Sequence, residues 1–398
     1  MALSLLNEHV NAVHFISQPI TNLSPSYHHC SSFKLINYSS SEELQNLVNS
    51  AVSAPDPKHA EYNRPPLDVP WLLAVGHVNV FELIDLCTGI VIRRFIFPTK
   101  LTTLVTLFSE YTLLVVIGFF RGDCVAFDPF ERTSTLHLNS SGLIVSKFPV
   151  TNLCFSLVSS AFFASFADGT IHVFSPKLSK QFKWEPKSTQ IVTPILSTRP
   201  SSMSKTNPLC RITISTRSVT GFAVCKMNQM SLLWACTLEG KLVCVDIQSG
   251  NVIHEHFSNT AFRALALSSD SCLVAVAAED NIIYLFNSEA KILGRCVGHT
   301  NWVTSLKFRP TQDRHITYTL VSVCDGGKMI LWKFDVDQGI LMDNSIPCSD
   351  LNDDHDTPSL AGYGIADLGE SLSDLCLLDS NIAVISRLGK IFVWVDID

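Results

Sequence analysis

The sequence predicts an all-β chain, a seven-bladed β-propeller closed by an N-terminal strand. Three observations predict it. First, a short pattern recurs in register. Strands end at Phe81, Phe127, Phe174, Val245, Phe286, Trp332 and Trp394, and five residues before each stands a residue suited to a tight turn: Gly76, Gly122, Gly169, Gly240, Asn281, Gly327 and Gly389. Glycine, and after it asparagine, adopts the positive φ of such turns at least cost. Second, four of the six intervals between these turns are 41 to 47 residues, the length of a four-stranded blade, and the other two, 71 and 62 residues, carry insertions. Third, apolar runs flank each turn, such as "LLWACT" before Gly240 and "MILWKF" after Gly327, as in strands buried on both faces of stacked sheets. An irregular β-sandwich is the competing architecture, and seven in-register turns argue against it.

The elements follow in order, and the whole chain, 1–398, is read as a single propeller. "NAVHFISQ" is expected to form the outer strand of the last blade and "SFKLINYS" the inner strand of the first, so that closure removes a free sheet edge. Residues 39–70 form a loop and helix insertion, with a helix-like start in "SSSEELQNLVNSAV". A Ser/Pro/Lys-rich inter-blade insertion occupies 175–217, and an acidic one, containing "SDLNDDHD", occupies 335–373. Within the first, Lys177–Lys205 reads as a linker, a docking strand or a phosphorylation site. Within the second, the acid run Asp350–Asp356 reads as a solvated loop or a contact for a basic partner. The last unit supplies only three strands, "SDLCLLD", "NIAVISR" and "KIFVWVD".

Composition narrows the function. Apolar residues make up 46% of the 398 and charged residues 16%, so a large core is available. A net charge of −7 argues against a broad nucleic-acid footprint. The 13 cysteines are scattered in apolar runs without a C-x-x-C pair, as in the reduced thiols of a cytoplasmic or nuclear protein. "HHC" at His28–Cys30 has no second cluster at ligand spacing, so no metal and no cofactor is expected. The N-terminus lacks a basic n-region, and the apolar run Thr112–Phe120 is too short to span a bilayer, so neither secretion nor a membrane is expected. No nucleophile elbow, H-E-x-x-H, phosphate loop or facing carboxylate pair is present, which predicts a non-enzyme with no small-molecule substrate.

"GHTNWVTSLKFRP" followed by "LVSVCDGGKMILW" resembles a WD40 repeat. The resemblance implies that His299, Ser322 and Trp332, with a turn aspartate, form a hydrogen-bonded tetrad that pins the blade. Here Gly326 holds the aspartate slot and Asp325 stands one place early. Asp168 and Asp280 occupy that slot in their own blades, without a Gly-His upstream. Blade rigidity is therefore expected to come mostly from apolar packing.

The order of features from Cys124 to Trp394 is more specific. "CVAFDPFERTSTL", "FFASFADGTIHVF", the "TNPLCRITI" entry to a blade, "GHTNWVTSLKFRP" and the insertion before the last blade are similar to the family of the fungal carbon-catabolite-repression WD protein and its animal relatives, which include the dystrophia-myotonica-associated WD protein. That resemblance implies a non-catalytic partner that binds and activates a ubiquitin-specific protease. A propeller scaffold of another complex, such as a substrate receptor of a ubiquitin ligase, is the alternative. For the contact itself, Trp302 and Phe262 read as the first residues of neighbouring inner strands, with Arg263 alongside. Two large aromatics on one exposed rim suit partner anchors. The competing reading has both rings covering the core.

Overall fold

The computed structural model describes residues 30–37, 42–53, 71–85, 88, 90–108, 113–130, 136–137, 146–156, 161–174, 208–227, 230–310, 317–337, 340–342, 359–360, 362, 364–378, 381–388 and 390–394. Among the described residues, seven sheets built on antiparallel strands follow one another along the chain, the arrangement of a seven-bladed β-propeller. The described residues divide into two compact units, those from 30 to 233 with 245–252, and those from 234 to 244 with 253–394, so the residues of the fourth sheet are shared between them.

In the first unit, β1 (Cys30–Asn37), β2 (Trp71–His77), β3 (Val80–Asp85) and β4 (Val91–Ile96) make the first sheet, with helix α1 (Glu42–Ser53) between β1 and β2. The second sheet is β5 (Leu101–Phe108), β6 (Leu113–Phe119), β7 (Cys124–Phe127) and β8 (Leu136–His137). The third is β9 (Val150–Ser156), β10 (Ala161–Phe166), β11 (Thr170–Phe174) and β12 (Cys210–Thr213). Leu44 and Val48 of α1 join Leu72, Phe81, Leu104 and Phe127 in one buried cluster, so the amphipathic helix covers core that the first two sheets leave open. Phe81 and Phe127 meet edge to face at 5.4 Å.

The fourth sheet comprises β13 (Val219–Met227), β14 (Met230–Thr237), β15 (Lys241–Asp246) and β16 (Val252–Phe257). In the other unit, β17 (Phe262–Leu267), β18 (Leu273–Ala278), β19 (Ile283–Asn287) and β20 (Ile292–Cys296) form the fifth. The sixth holds β21 (Val303–Phe308), β22 (Thr317–Cys324), β23 (Lys328–Asp337) and β24 (Ile340–Met342). Next come β25 (Ser359–Leu360), which pairs in parallel with β20, and β26 (Gly364–Asp367), which pairs with β23. The last sheet has three strands, β27 (Leu372–Leu378), β28 (Asn381–Ser386) and β29 (Ile391–Trp394).

Several sequence expectations change here. The insertion 335–373 carries ordered strands: Leu360 is buried against Trp332 and Ile330, and β26 extends the sixth sheet, while the acid run 350–356 lies outside the described residues. Likewise β12 lies inside 175–217, and its "CRIT" pairs with β11 as the outer strand of the third sheet rather than as the entry to a new one. The expected closing strand "NAVHFISQ" and Gly389 lie outside the described residues. Gly122, Gly169, Gly240, Asn281 and Gly327 all have φ between 68° and 85°. Gly76 does not sit in a turn. It pairs with Phe81 inside β2–β3, and the turn is two residues later, where Val78 has φ 39°. A two-residue slip keeps side chains on the same face, which is why Phe81 is buried all the same.

The turn glycines are required sterically as well. A Cβ on Gly169 would lie 2.1 Å from the Ser215 carbonyl oxygen, and one on Gly240 would lie 2.3 Å from that of Ser258. Each hairpin thus nests on the backbone that leads into the next inner strand.

Candidate functional site

The inner strands share a local device. The register shifts by one residue near the start of β5, β9, β17, β21 and β27, leaving Thr102, Thr151, Arg263, Thr304 and Ser373 as bulged residues. Four of the five are hydroxyl residues that donate to backbone. Thr102 reaches the Gly118 carbonyl at 3.0 Å, Thr151 the Val219 carbonyl at 2.7 Å, Thr304 the Leu372 carbonyl at 3.0 Å and Ser373 the Ile385 carbonyl at 3.2 Å. Arg263 is the exception. Its guanidinium lies 3.9 Å from the centre of the Trp302 ring and donates to Glu279 Oε1 at 2.5 Å.

Trp302 itself is 44% exposed. Its carbonyl accepts from the Asp325 amide, as the Ala261 carbonyl accepts from Glu279 and that of Ser371 from Arg387. These bonds define the register: Trp302 corresponds to Ala261, and Phe262 corresponds to Val303 and Leu372. The expectation that Phe262 and Trp302 share a position is therefore corrected by one residue. The slip matters because neighbouring strand residues face opposite ways. Phe262 is 1% exposed and meets Phe286 edge to face, so it is core and no part of an exposed surface. Trp302 and Arg263 are brought together; Phe262 is not with them.

Two acids complete this surface, and sequence reading did not select either as a contact. Glu279 follows β18 and fixes Arg263. Asp325, expected near the tetrad, instead accepts from the Ser371 hydroxyl and pairs with Arg387 at 3.0 Å. The signal was available: Glu279, Asp325 and Arg387 are the same turn position in successive repeats, and all three are charged.

Beneath the turn, His299 Nε2 lies 2.6 Å from Ser322 Oγ, which accepts from Trp332 Nε1 at 2.8 Å. His299 Nδ1 is buried and has no partner among the described residues. Burial, with Lys328 adding to it, lowers the His299 pKa to about 4, so the ring is neutral. Asp168 accepts from the Thr170 amide and hydroxyl and pairs with Arg211 at 3.3 Å. Asp280 accepts from the Ile282 amide and the Tyr284 hydroxyl. Both brace their own turns. Among the described residues no group of three His, Cys, Asp or Glu side chains could hold a metal ion, and no helix is long and apolar enough to cross a membrane.

What this surface offers is adhesion: a half-open indole clamped by a guanidinium and ringed by ion pairs. Comparison with known proteins agrees with that class. Residues 290–333 match the family model "WD domain, G-beta repeat", so the chain carries a WD40 repeat where His299, Trp302 and Trp332 lie. Repeats of this kind characteristically serve as interaction scaffolds, and no catalytic family is indicated. The UBP9-binding protein bun62 of Schizosaccharomyces pombe is 24% identical over 246 residues, covering 57% of this chain and 44% of that protein. Echinoderm microtubule-associated protein-like 4 of Xenopus laevis is 26% identical over 123 residues, 29% of this chain and 12% of its own length. The chain thus spans less than half the length of the curated relatives it matches. Among solved structures, the computationally designed Ika8 protein aligns with a TM-score of 0.50 and 17% identity over 81% of this chain and 80% of its own, a likeness of fold alone.

Proposed function

We propose that this propeller scaffold is a regulatory subunit that binds and activates a ubiquitin-specific protease. The observation that carries the reading is its similarity, over 246 residues, to a protein named for binding UBP9. The exposed Trp302–Arg263 stack supports it, because a rigid aromatic held by an arginine is the usual make-up of an interface hot spot. Activation follows if the scaffold binds the productive conformation of the protease more tightly than the others. The cysteines, mostly buried among the described residues, suit a cytoplasmic or nuclear setting.

The test is to titrate the purified chain into purified ubiquitin-specific proteases and follow hydrolysis of a ubiquitin–coumarin substrate. Saturable stimulation by wild type and its loss with Trp302→Ala is the expected result. No binding to any protease, together with capture of a cullin adaptor, would replace this reading by that of a ligase substrate receptor.

A further inference from the structure

A different surface stands out on the other unit. Val78, Phe120 and Phe148 are 40%, 55% and 50% exposed. Backbone contacts join them in one line. The Val78 carbonyl accepts from the Leu101 amide at 2.5 Å, and the Lys100 carbonyl accepts from the Phe120 amide at 2.9 Å. Gly122 then sits against the Phe148 carbonyl, where an added Cβ would be 2.7 Å from its oxygen.

The fold does not ask for these side chains. Phe120 holds the turn position of Ala167, Leu238, Glu279, Asp325 and Arg387 in later sheets, where the three charged residues are ion-paired and where it is the largest and most exposed of the apolar ones. Phe148 corresponds to Arg217, Thr260 and Glu370, the polar residues whose carbonyls face Gly169, Gly240 and Gly327. Val78 is a β-branched residue at φ 39°, a conformation that such side chains adopt only at a cost. Such strain persists at sites kept for a purpose other than stability.

Charge says what would cover the line. Lys100, Arg121 and Lys147 alternate with the three apolar residues along it and are exposed. None has an ion pair among the described residues, whereas Arg94, Arg211, Lys241, Arg263, Arg387 and Lys390 each have one. Asp123 is the single carboxylate of the same turn. On a chain of net charge −7 this is a local basic exception.

We propose that Val78, Lys100, Phe120, Arg121, Lys147 and Phe148 form a second docking surface, which takes an acidic segment of a partner protein bearing a bulky apolar side chain. The acids would pair with the three free cations, and the apolar side chain would lie against the two phenylalanines. None of its residues belongs to the Trp302 surface, so it does not depend on the protease reading.

The test uses the full chain and a short fluorescein-labelled peptide of Asp and Glu around one Phe. Fluorescence anisotropy should give a salt-sensitive Kd of about 1 mM or tighter. Phe120→Ser and Phe148→Ser should each weaken it about tenfold or more, and Arg121→Glu with Lys147→Glu should abolish it. Since all four side chains are exposed, melting temperatures should not move. Val78→Asn should raise the melting temperature while weakening the peptide. Trp302→Ala should leave binding unchanged. The proposal is overturned if the peptide does not bind, if it binds equally to all variants, or if a peptide with Lys in place of each acid binds as well. It is equally overturned if the same variants instead abolish binding to phosphatidylserine vesicles, or abolish self-association in sedimentation velocity, because the occupant is then a lipid surface or a second copy.

Discussion

Trp302→Ala and Phe262→Ala should separate cleanly, although both replace a large aromatic near the start of an inner strand. Phe262 is 1% exposed and packed on Phe286. Its truncation loses buried area and leaves a cavity, which costs about 3–5 kcal/mol. At roughly 2–4 °C per kcal/mol for a large domain, the melt should fall by about 6 °C or more. Trp302 has an open face, and its stack with Arg263 is worth about 0.5–1 kcal/mol. Removing it should shift the melt by only a few degrees. Binding should reverse the order: an anchor lost from an interface costs about 2 kcal/mol, near 30-fold in affinity, and folded Trp302→Ala should show all of that loss. Differential scanning fluorimetry and protease titration on the same preparations give both numbers. Equal melting losses for the two variants would refute the register argument. Full protease affinity in Trp302→Ala would place the contact away from this stack.

Three further outcomes follow from the same geometry. Gly169→Val and Gly240→Val should each destabilise by about 3 kcal/mol or more in urea, because each adds a positive-φ penalty to a Cβ lying on a backbone oxygen. Burial is the main cause that lowers the pKa of His77, His172 and His299 to about 4, so the unfolded chain binds the extra protons between about pH 4 and 6.5. That stability is present above pH 6.5 and lost as pH falls towards 4. Glu82, raised by burial to about 7, acts oppositely from about pH 4.5 to 7 and offsets His77, so Glu82→Gln should steepen the acid loss in melts taken across this range. Gly326→Asp should bring a carboxylate towards His299 Nδ1 and raise the pKa of that ring, visible by NMR titration. The fit is tight, because the new Cβ would lie 3.1 Å from Asn301 Cβ, and an unchanged titration would show that the slot does not reach the histidine.

The sequence by itself determined the repeat. Glycine or asparagine at the turn is dictated locally, by φ and by the backbone that nests behind it, so Gly122, Gly169, Gly240, Asn281 and Gly327 could be read without a structure. The helix after β1 was equally legible, because its start signal and apolar stripe are local. Register within a strand was not. Phe262 and Trp302 differ by one position relative to their bulges, and only the cross-strand bonds reveal which of them faces the core. The first turn was misplaced for a related reason: a shorter hairpin at Val78–Asn79 moves the turn by two residues and leaves burial unchanged. Partners far apart in the chain were also invisible. Arg263 meets Trp302 across adjacent inner strands, and Asp325 meets Ser371 and Arg387 rather than His299. Leu360 returns from an acidic insertion to seal the fifth sheet. These contacts come from strand-to-strand packing, which no local propensity encodes, and they decide which of the chain's aromatic and charged residues reach the surface where another protein can meet them.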